Sequence, residues 1–369
     1  MNARLRNRPG SPRSMAGVSL IELMISIVLG MMVIAALVTV FASTSASRQE
    51  LERTSRQIEN GRFAMEILSD ELRLAGFYGE LDMRKLAANL AGPMWSATPT
   101  PFDPCTTDPN MWKLALKFHV QGYDNGQGMP PCLQALVPDL KANTDVVITR
   151  RASSCEAGIA GCPLVIPTHA YMQVSKCGPE SAIAANSYTI ALGSGTFPLS
   201  IKGATYDTCG ARAGLREYLV SIFYISTNNG QGQPIPTLKM KRFNGVNWDE
   251  YPMVEGIEEL NIEYGIDNDL DGAPDAYTTD VTGYTCANAQ PDNTACTPSL
   301  NWSNVMTARV HLLARNLETS PNYTDNKTYS LGLDRTGAEI TITPNDAYRR
   351  HVYAGLVRIV NPAQRRDTP

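Results

Sequence analysis

Glu22 stands where a carboxylate is costly. It is the only charged side chain in residues 18–41, VSLIELMISIVLGMMVIAALVTVF. An ionised group inside so apolar a helix is expensive in lipid and is usually retained for a function. A second group of carboxylates is crowded into a short loop. Asp267, Asp269 and Asp271, followed by Gly272, fit the D-x-D-x-D-G spacing of a calcium loop. Carboxylates at alternate positions, with glycine at the sharp turn, let a short loop wrap its oxygens around a hard cation. Ala273 takes the seventh position, where a backbone carbonyl would serve, and Asp275 the ninth. Thr278 falls where the usual bidentate glutamate would be, and Asp280 lies near enough to substitute. No helix pattern flanks the loop, so it is not an EF-hand pair. The plainer reading is a solvated Asp/Asn/Gly turn.

Eight cysteines form the third set: Cys105, Cys132, Cys155, Cys162, Cys177, Cys209, Cys286 and Cys296. None makes a C-x-x-C pair and only four histidines accompany them, which argues against zinc. An even count in loop-like sequence points to disulfides and an oxidising compartment. Spacing leaves connectivity open. Pairing of chain neighbours would give Cys105–Cys132, Cys155–Cys162, Cys177–Cys209 and Cys286–Cys296. No G-x-S-x-G, Walker loop, dinucleotide fingerprint or HExxH occurs, so no enzyme is expected. The formal charge of −4 lends no support to nucleic-acid binding.

These residues sit on recognisable elements. Residues 1–17 carry four arginines and no acid. The next 24 residues would span about 36 Å as a helix, enough to cross a bilayer core. Positive charge ahead of the span keeps the N-terminus cytoplasmic and sends the remainder across, which agrees with the cysteines. A cleaved secretory signal would have a shorter apolar region ending in a small-residue cleavage site. The helical pattern continues beyond Phe41, with Leu51, Ile58, Met65 and Leu72 every seven residues and Gly61, Leu68 and Ala75 three places after the last three. Gly76 is placed as the C-terminal cap. From residue 77 onward the apolar runs shorten between Pro, Gly, Asn and Asp. Strands are expected at 114–120, 144–150, 187–192, 218–225, 238–243, 254–264, 305–314 and 351–360. The run 218–225 should be buried on both faces. The expected fold class is α+β: a long N-terminal helix, membrane-spanning in its first half, packed on a large antiparallel β-rich head with disulfide-braced loops. The expected division is 1–17, leader; 18–76, helix (18–41 transmembrane, 42–76 amphipathic); and 77–369, head.

The stretch Gly17-Val18-Ser19-Leu20-Ile21-Glu22-Leu23 resembles the type IV prepilin signature, a glycine, a short apolar run and glutamate at the fifth mature position. The run QIENGRFAMEILSDELRLAGF (57–77), RVHLLARN (309–316) and YRRHVYAGLVRIVNP (348–362) resemble the PilW family of minor pilins. The resemblance implies cleavage between Gly17 and Val18 by a prepilin peptidase and methylation of the new amine. Val18 departs from the family's usual aromatic first residue. The resemblance further implies that Glu22 faces the N-terminal amine of a neighbouring subunit and sets its register. Implied partners are other minor pilins, the major pilin, the inner-membrane assembly platform and a PilY-class tip adhesin. The implied location is the bacterial inner membrane with the head periplasmic, then the pilus, at its tip. The implied role is priming of pilus polymerisation. A minor pseudopilin of type II secretion would share the leader and helix. A calcium-dependent surface-binding module is a third reading, drawn from the acidic loop.

Overall fold

The computed structural model describes residues 17–81, 102–181, 187–205, 207–285 and 296–364. It falls into two compact units, Met1–Glu52 and Arg53–Pro369. One helix, α1 (Leu20–Leu74), contributes to both.

In the first unit α1 is apolar all round, and its apolar side chains are exposed from Leu20 (77%) to Phe41 (76%). A helix of this kind is stable only where lipid or other helices cover it. The Ser26 hydroxyl donates to the Glu22 carbonyl at 2.7 Å and Thr39 to the Ala36 carbonyl at 2.8 Å, so these polar groups are satisfied within the helix. By length and composition the segment can cross a membrane.

In the second unit the buried face of α1 is Gln57, Gly61, Ala64, Leu68 and Leu72, followed by Ala75 just beyond the helix. The heptad stripe is thus only half right. Gly61, Leu68, Leu72 and Ala75 are buried, whereas Leu51 is 71% exposed and Ile58 is exposed. A straight helix of 3.6 residues per turn drifts about 20° per heptad, so a strict seven-residue row leaves the interface. The helix ends as expected. Gly76 takes the left-handed conformation (φ +74°) and donates its N–H to the Arg150 carbonyl. The Asn361 side chain donates to the last carbonyls, of Arg73 and Ala75.

The first sheet has seven strands. They are β1 (Val120–Tyr123), β2 (Val146–Glu156), β3 (Ala170–Val174), β4 (Tyr188–Leu192), and, after a two-stranded ribbon of β5 (Ser200–Lys202) and β6 (Cys209–Arg212), β7 (Leu215–Ser226), β8 (Thr237–Phe243) and β9 (Trp248–Glu255). The central strand β7 is buried on both faces. Phe223 and Ile225 join the core under α1, while Tyr218, Val220, Ile222 and Tyr224 join a second core with Trp112, Leu116 and Phe243. Residues 114–120 are not a strand until Val120. Asp108 caps a short helix, α2 (Pro109–Ala115), by accepting the Asn110 N–H, and Pro109 opens it. Burial of Trp112 then fixes the turn. The expected strand 254–264 is divided at Gly256 (φ +81°), which turns the chain from the first sheet into the second.

The second sheet runs in the order β11 (Ala276–Thr278), β10 (Ile257–Ile266), β12 (Val305–Arg315), β15 (Arg350–Arg358), all antiparallel. Its inner face, Leu260, Ile262, Val310, Leu312 and Val357, packs against Ala64, Leu68 and Leu72 of α1. A hairpin of β13 (Tyr329–Leu333) and β14 (Glu339–Ile342) covers part of its outer face through Leu331. The helix is also tied by polar contacts. Gln57, buried, donates to the Ala314 carbonyl at 2.9 Å, and Glu71 accepts from Arg151 and Arg242 of the first sheet.

Gly61 of α1 lies against Tyr353 of β15. A Cβ there would overlap the Tyr353 ring. Gly61→Leu should therefore lower the unfolding free energy of the head by about 2–3 kcal/mol, in the range of overpacked cores. Denaturant unfolding of the full chain in neutral detergent measures it. A change within error would mean that Tyr353 can swing away freely.

Candidate functional site

Gly17, Val18 and Ser19 precede α1 and are exposed. The helix opens on the Ser19 carbonyl, which accepts the Leu23 N–H at 3.1 Å. Glu22 lies in the first turn, where the positive end of the helix dipole favours a carboxylate. Gly17 and Val18, where cleavage is expected, are thus exposed ahead of a helix start, and Glu22 lies in the first turn.

The acidic loop is the turn of the β10–β11 hairpin. Asp267 is fully buried. Its two carboxylate oxygens accept the N–H groups of Leu270 (2.7 Å) and Gly272 (2.9 Å). Asp275 accepts from the N–H groups of Asn268 (2.6 Å) and Asp269 (3.3 Å). Asp267, Asp269 and Asp275 each bring one oxygen to within 4.8 Å of the others. Asp271 is not in that group; its side chain accepts the Ala273 N–H. Asp280 is engaged elsewhere, accepting the Gly283 N–H and lying 3.9 Å from Arg335. The loop is therefore both a self-capped turn and a convergence of three carboxylates, an acidic group able to hold a cation.

Disulfides join Cys105–Cys132, Cys155–Cys162 and Cys177–Cys209, the pairs that chain-neighbour pairing gives. The fourth expected pair includes Cys286, which lies outside the described residues. The Cys105–Cys132 bridge ties the approach to α2 to the following helix, α3 (Pro131–Leu136), and Cys177–Cys209 ties the end of β3 to β6. These loops of 27 and 32 residues are long enough for each bridge to contribute about 3 kcal/mol by restricting the unfolded chain.

Residues 222–361 match the family model described as Type IV Pilus-assembly protein W. The resemblance to PilW read from the sequence is borne out over this stretch. It runs from within β7 through the second sheet and contains the acidic loop, 309–316 and almost all of 348–362. Among solved structures the chain is similar to a type IV-like pilin from Thermus thermophilus. The identity is 16%, over 60% of this chain and 81% of that one, with a TM-score of 0.27. No curated protein matches the chain. Residues 222–361 are thus similar to a family described by its role in pilus assembly.

Two ionic features were not visible in the sequence. Arg350 is buried and bound by carboxylates from three separate segments, Glu258, Asp325 and Asp346. Asp145 is fully enclosed beneath β10, where it accepts the N–H groups of Asn125 and Ile262. Burial pushes its carboxyl up to about 8, despite those two N–H groups and with Asp124 adding to the rise. Burial also raises Glu259 to about 7, offset in part by Lys141. Both pKa values lie above those of the unfolded chain. Their contribution to stability is therefore complete below about pH 4 and is lost as pH rises towards 7–8. The head should thus be destabilised between pH 5 and pH 8 by roughly 1 kcal/mol per pH unit for a fully buried group. Urea midpoints across that range measure the slope. In Asp145→Asn the slope should flatten, at the cost of one backbone N–H bond. An unchanged slope would remove Asp145 as its source.

Proposed function

We propose that the chain is a minor subunit of a type IV pilus, one that helps to prime polymerisation and stays at the tip. The observation that carries this reading is the exposed apolar half of α1, with Glu22 as its one charge, in a chain whose residues 222–361 match the PilW model. Such a helix must leave lipid for a bundle of like helices, and association is the chemistry. After cleavage at Gly17, the new amine of a neighbour would pair with Glu22. In lipid or a helical bundle that pairing offsets the penalty each charge carries alone. The head holds two sheets and disulfide-braced loops, a bulky load for every position of a filament, which favours low copy number and a terminal place. Immunogold labelling of sheared pili tests it. Labels should be sparse and terminal, whereas labels along the whole length, or none on pili, would oppose the reading. Loss of enzyme secretion rather than of twitching on deletion would instead favour a pseudopilin of type II secretion.

A second reading concerns the loop at 267–275. The convergence of Asp267, Asp269 and Asp275 supports a calcium site that stiffens the β10–β11 hairpin. Isothermal titration of the full chain in neutral detergent should give a saturable heat with millimolar calcium, lost in Asp269→Asn/Asp275→Asn. Absence of heat in the unmutated chain would leave a self-capped turn.

A further inference from the structure

Within the head, the helical residues 54–62 and the strand β15 border an open groove of about 350 Å³. Gln57, Ile58 and Arg62 line one wall. Tyr323, Lys327, Arg349, Arg350, His351 and Tyr353 line the other. Four of the lining side chains are permanent cations, Arg62, Lys327, Arg349 and Arg350, and none is a carboxylate. This is a local reversal in a chain whose formal charge is −4.

The four cations are not equivalent. The charge of Arg350 is taken from behind the wall by Glu258, Asp325 and Asp346. Arg349 lies over the Tyr323 ring, 4.1 Å from its centroid. Arg62 and Lys327 are exposed, on opposite walls, and neither has a salt bridge among the described residues. Two such cations across an open groove favour an anionic group lying between them.

The aromatic side chains narrow the chemistry of the occupant. Sugar acids are bound by cations together with a free aromatic face. Here the Tyr323 face carries Arg349, and Tyr353 lies against Gly61 with the His351 ring edge-on at 4.8 Å. The Tyr353 hydroxyl donates to the Ile58 carbonyl at 3.3 Å. Both rings are thus already engaged by a neighbour, Tyr323 by Arg349 and Tyr353 by His351. Recognition then falls chiefly to charge.

We infer that this groove docks an acidic peptide segment of a neighbouring protein subunit, whose carboxylates bridge Arg62 and Lys327. The inference rests on the pilus reading only in taking that neighbour to be a pilus subunit. Because both cations are exposed, the contact sets orientation and association rate more than final affinity, and it weakens with salt.

Fluorescein-labelled hexaglutamate, added to the purified full chain in neutral detergent, tests the groove by anisotropy. The peptide should bind at low salt and be released at high salt. Arg62→Glu/Lys327→Glu should weaken binding at least about tenfold. Arg62→Gln/Lys327→Gln should weaken it in the same direction, and the exposed Lys202→Glu should leave it unchanged. The inference is overturned if hexaglutamate fails to bind, if either double variant binds as the unmutated chain does, or if hexagalacturonate binds equally well with the same sensitivity to the variants. These measurements need no filament. Failure of the groove leaves the pilus reading standing, and failure of cleavage at Gly17 leaves the groove measurable.

Discussion

A chain carrying Glu22→Ala is expected to be cut after Gly17 as usual, to remain in the membrane, and to be missing from sheared pili. The reason lies in what each step needs. Cleavage needs the exposed stretch around Gly17 and Val18, which the substitution leaves alone. Retention in the membrane needs only the apolar residues up to Phe41. Entry into a filament is different if, as proposed, the mature N-terminus carries a charged amine into a bundle of apolar helices. A lone charge there costs about 3 kcal/mol on insertion scales, equivalent to a hundredfold or more in incorporation. Glu22, in the first turn of α1, is the one side chain of the segment able to offset it. Glu22→Gln should fail almost as completely, since it keeps the size and polarity but not the charge. Immunoblots of membrane and sheared fractions separate the outcomes. Normal recovery of Glu22→Ala in pili would mean that the amine finds another partner.

Arg350→Met should be the most damaging single change within the head. The Arg350 side chain is 1% exposed. It donates to Glu258 at 2.5 and 3.2 Å, to Asp346 at 2.6 and 2.7 Å, to Asp325 at 3.4 Å and to the Tyr348 carbonyl at 3.2 Å. Asp325, wholly buried, also accepts the hydroxyls of Tyr323 and Tyr329. One guanidinium therefore joins the start of β10, the 321–328 segment and the entry to β15. Removing it leaves carboxylates enclosed without a counter-charge, a loss of about 3–5 kcal/mol. The value should lie towards the lower end, since Asp346 is partly exposed and screened. Arg350→Lys should not rescue, because an ammonium cannot serve two carboxylates bidentately. The Arg350 guanidinium beside Asp346 holds that carboxyl below its usual range. Its contribution is present above the unfolded carboxylate pKa and is lost as pH falls through the folded value. Urea unfolding at neutral pH reads the loss, and a midpoint within error of the unmutated chain would contradict the role of Arg350 as a hub.

What could be read before the fold was known follows the range of each interaction. Glu22 as a lone charge in an apolar run needs only local chemistry, whereas Gly17 and Val18 as a cleavage position are implied by the resemblance to the prepilin signature. The two-sided burial of β7 was legible because its apolar residues occupy both parities. The helix seam was mis-phased because a seven-residue row and a straight helix diverge over several turns; Leu51 and Ile58 belong to the row but not to the interface. The start of the expected strand 114–120 falls in the last turn of α2, whose signal is the Asp108–Pro109 cap ahead of it. The hub at Arg350 was illegible because its partners lie at 258, 325 and 346, and nothing in their spacing brings them together. The groove beside it was hidden for the same reason, since Arg62 and Lys327 meet only across α1 and the 321–328 segment.

The N-terminus of the chain recovered from pili tests the pilin assignment most directly. Mass spectrometry of that material should find the first residue to be Val18, bearing one methyl group on its amine. A chain that still begins at Met1 in the pilus fraction, or one cut beyond Phe41 and so stripped of its apolar half, would contradict it.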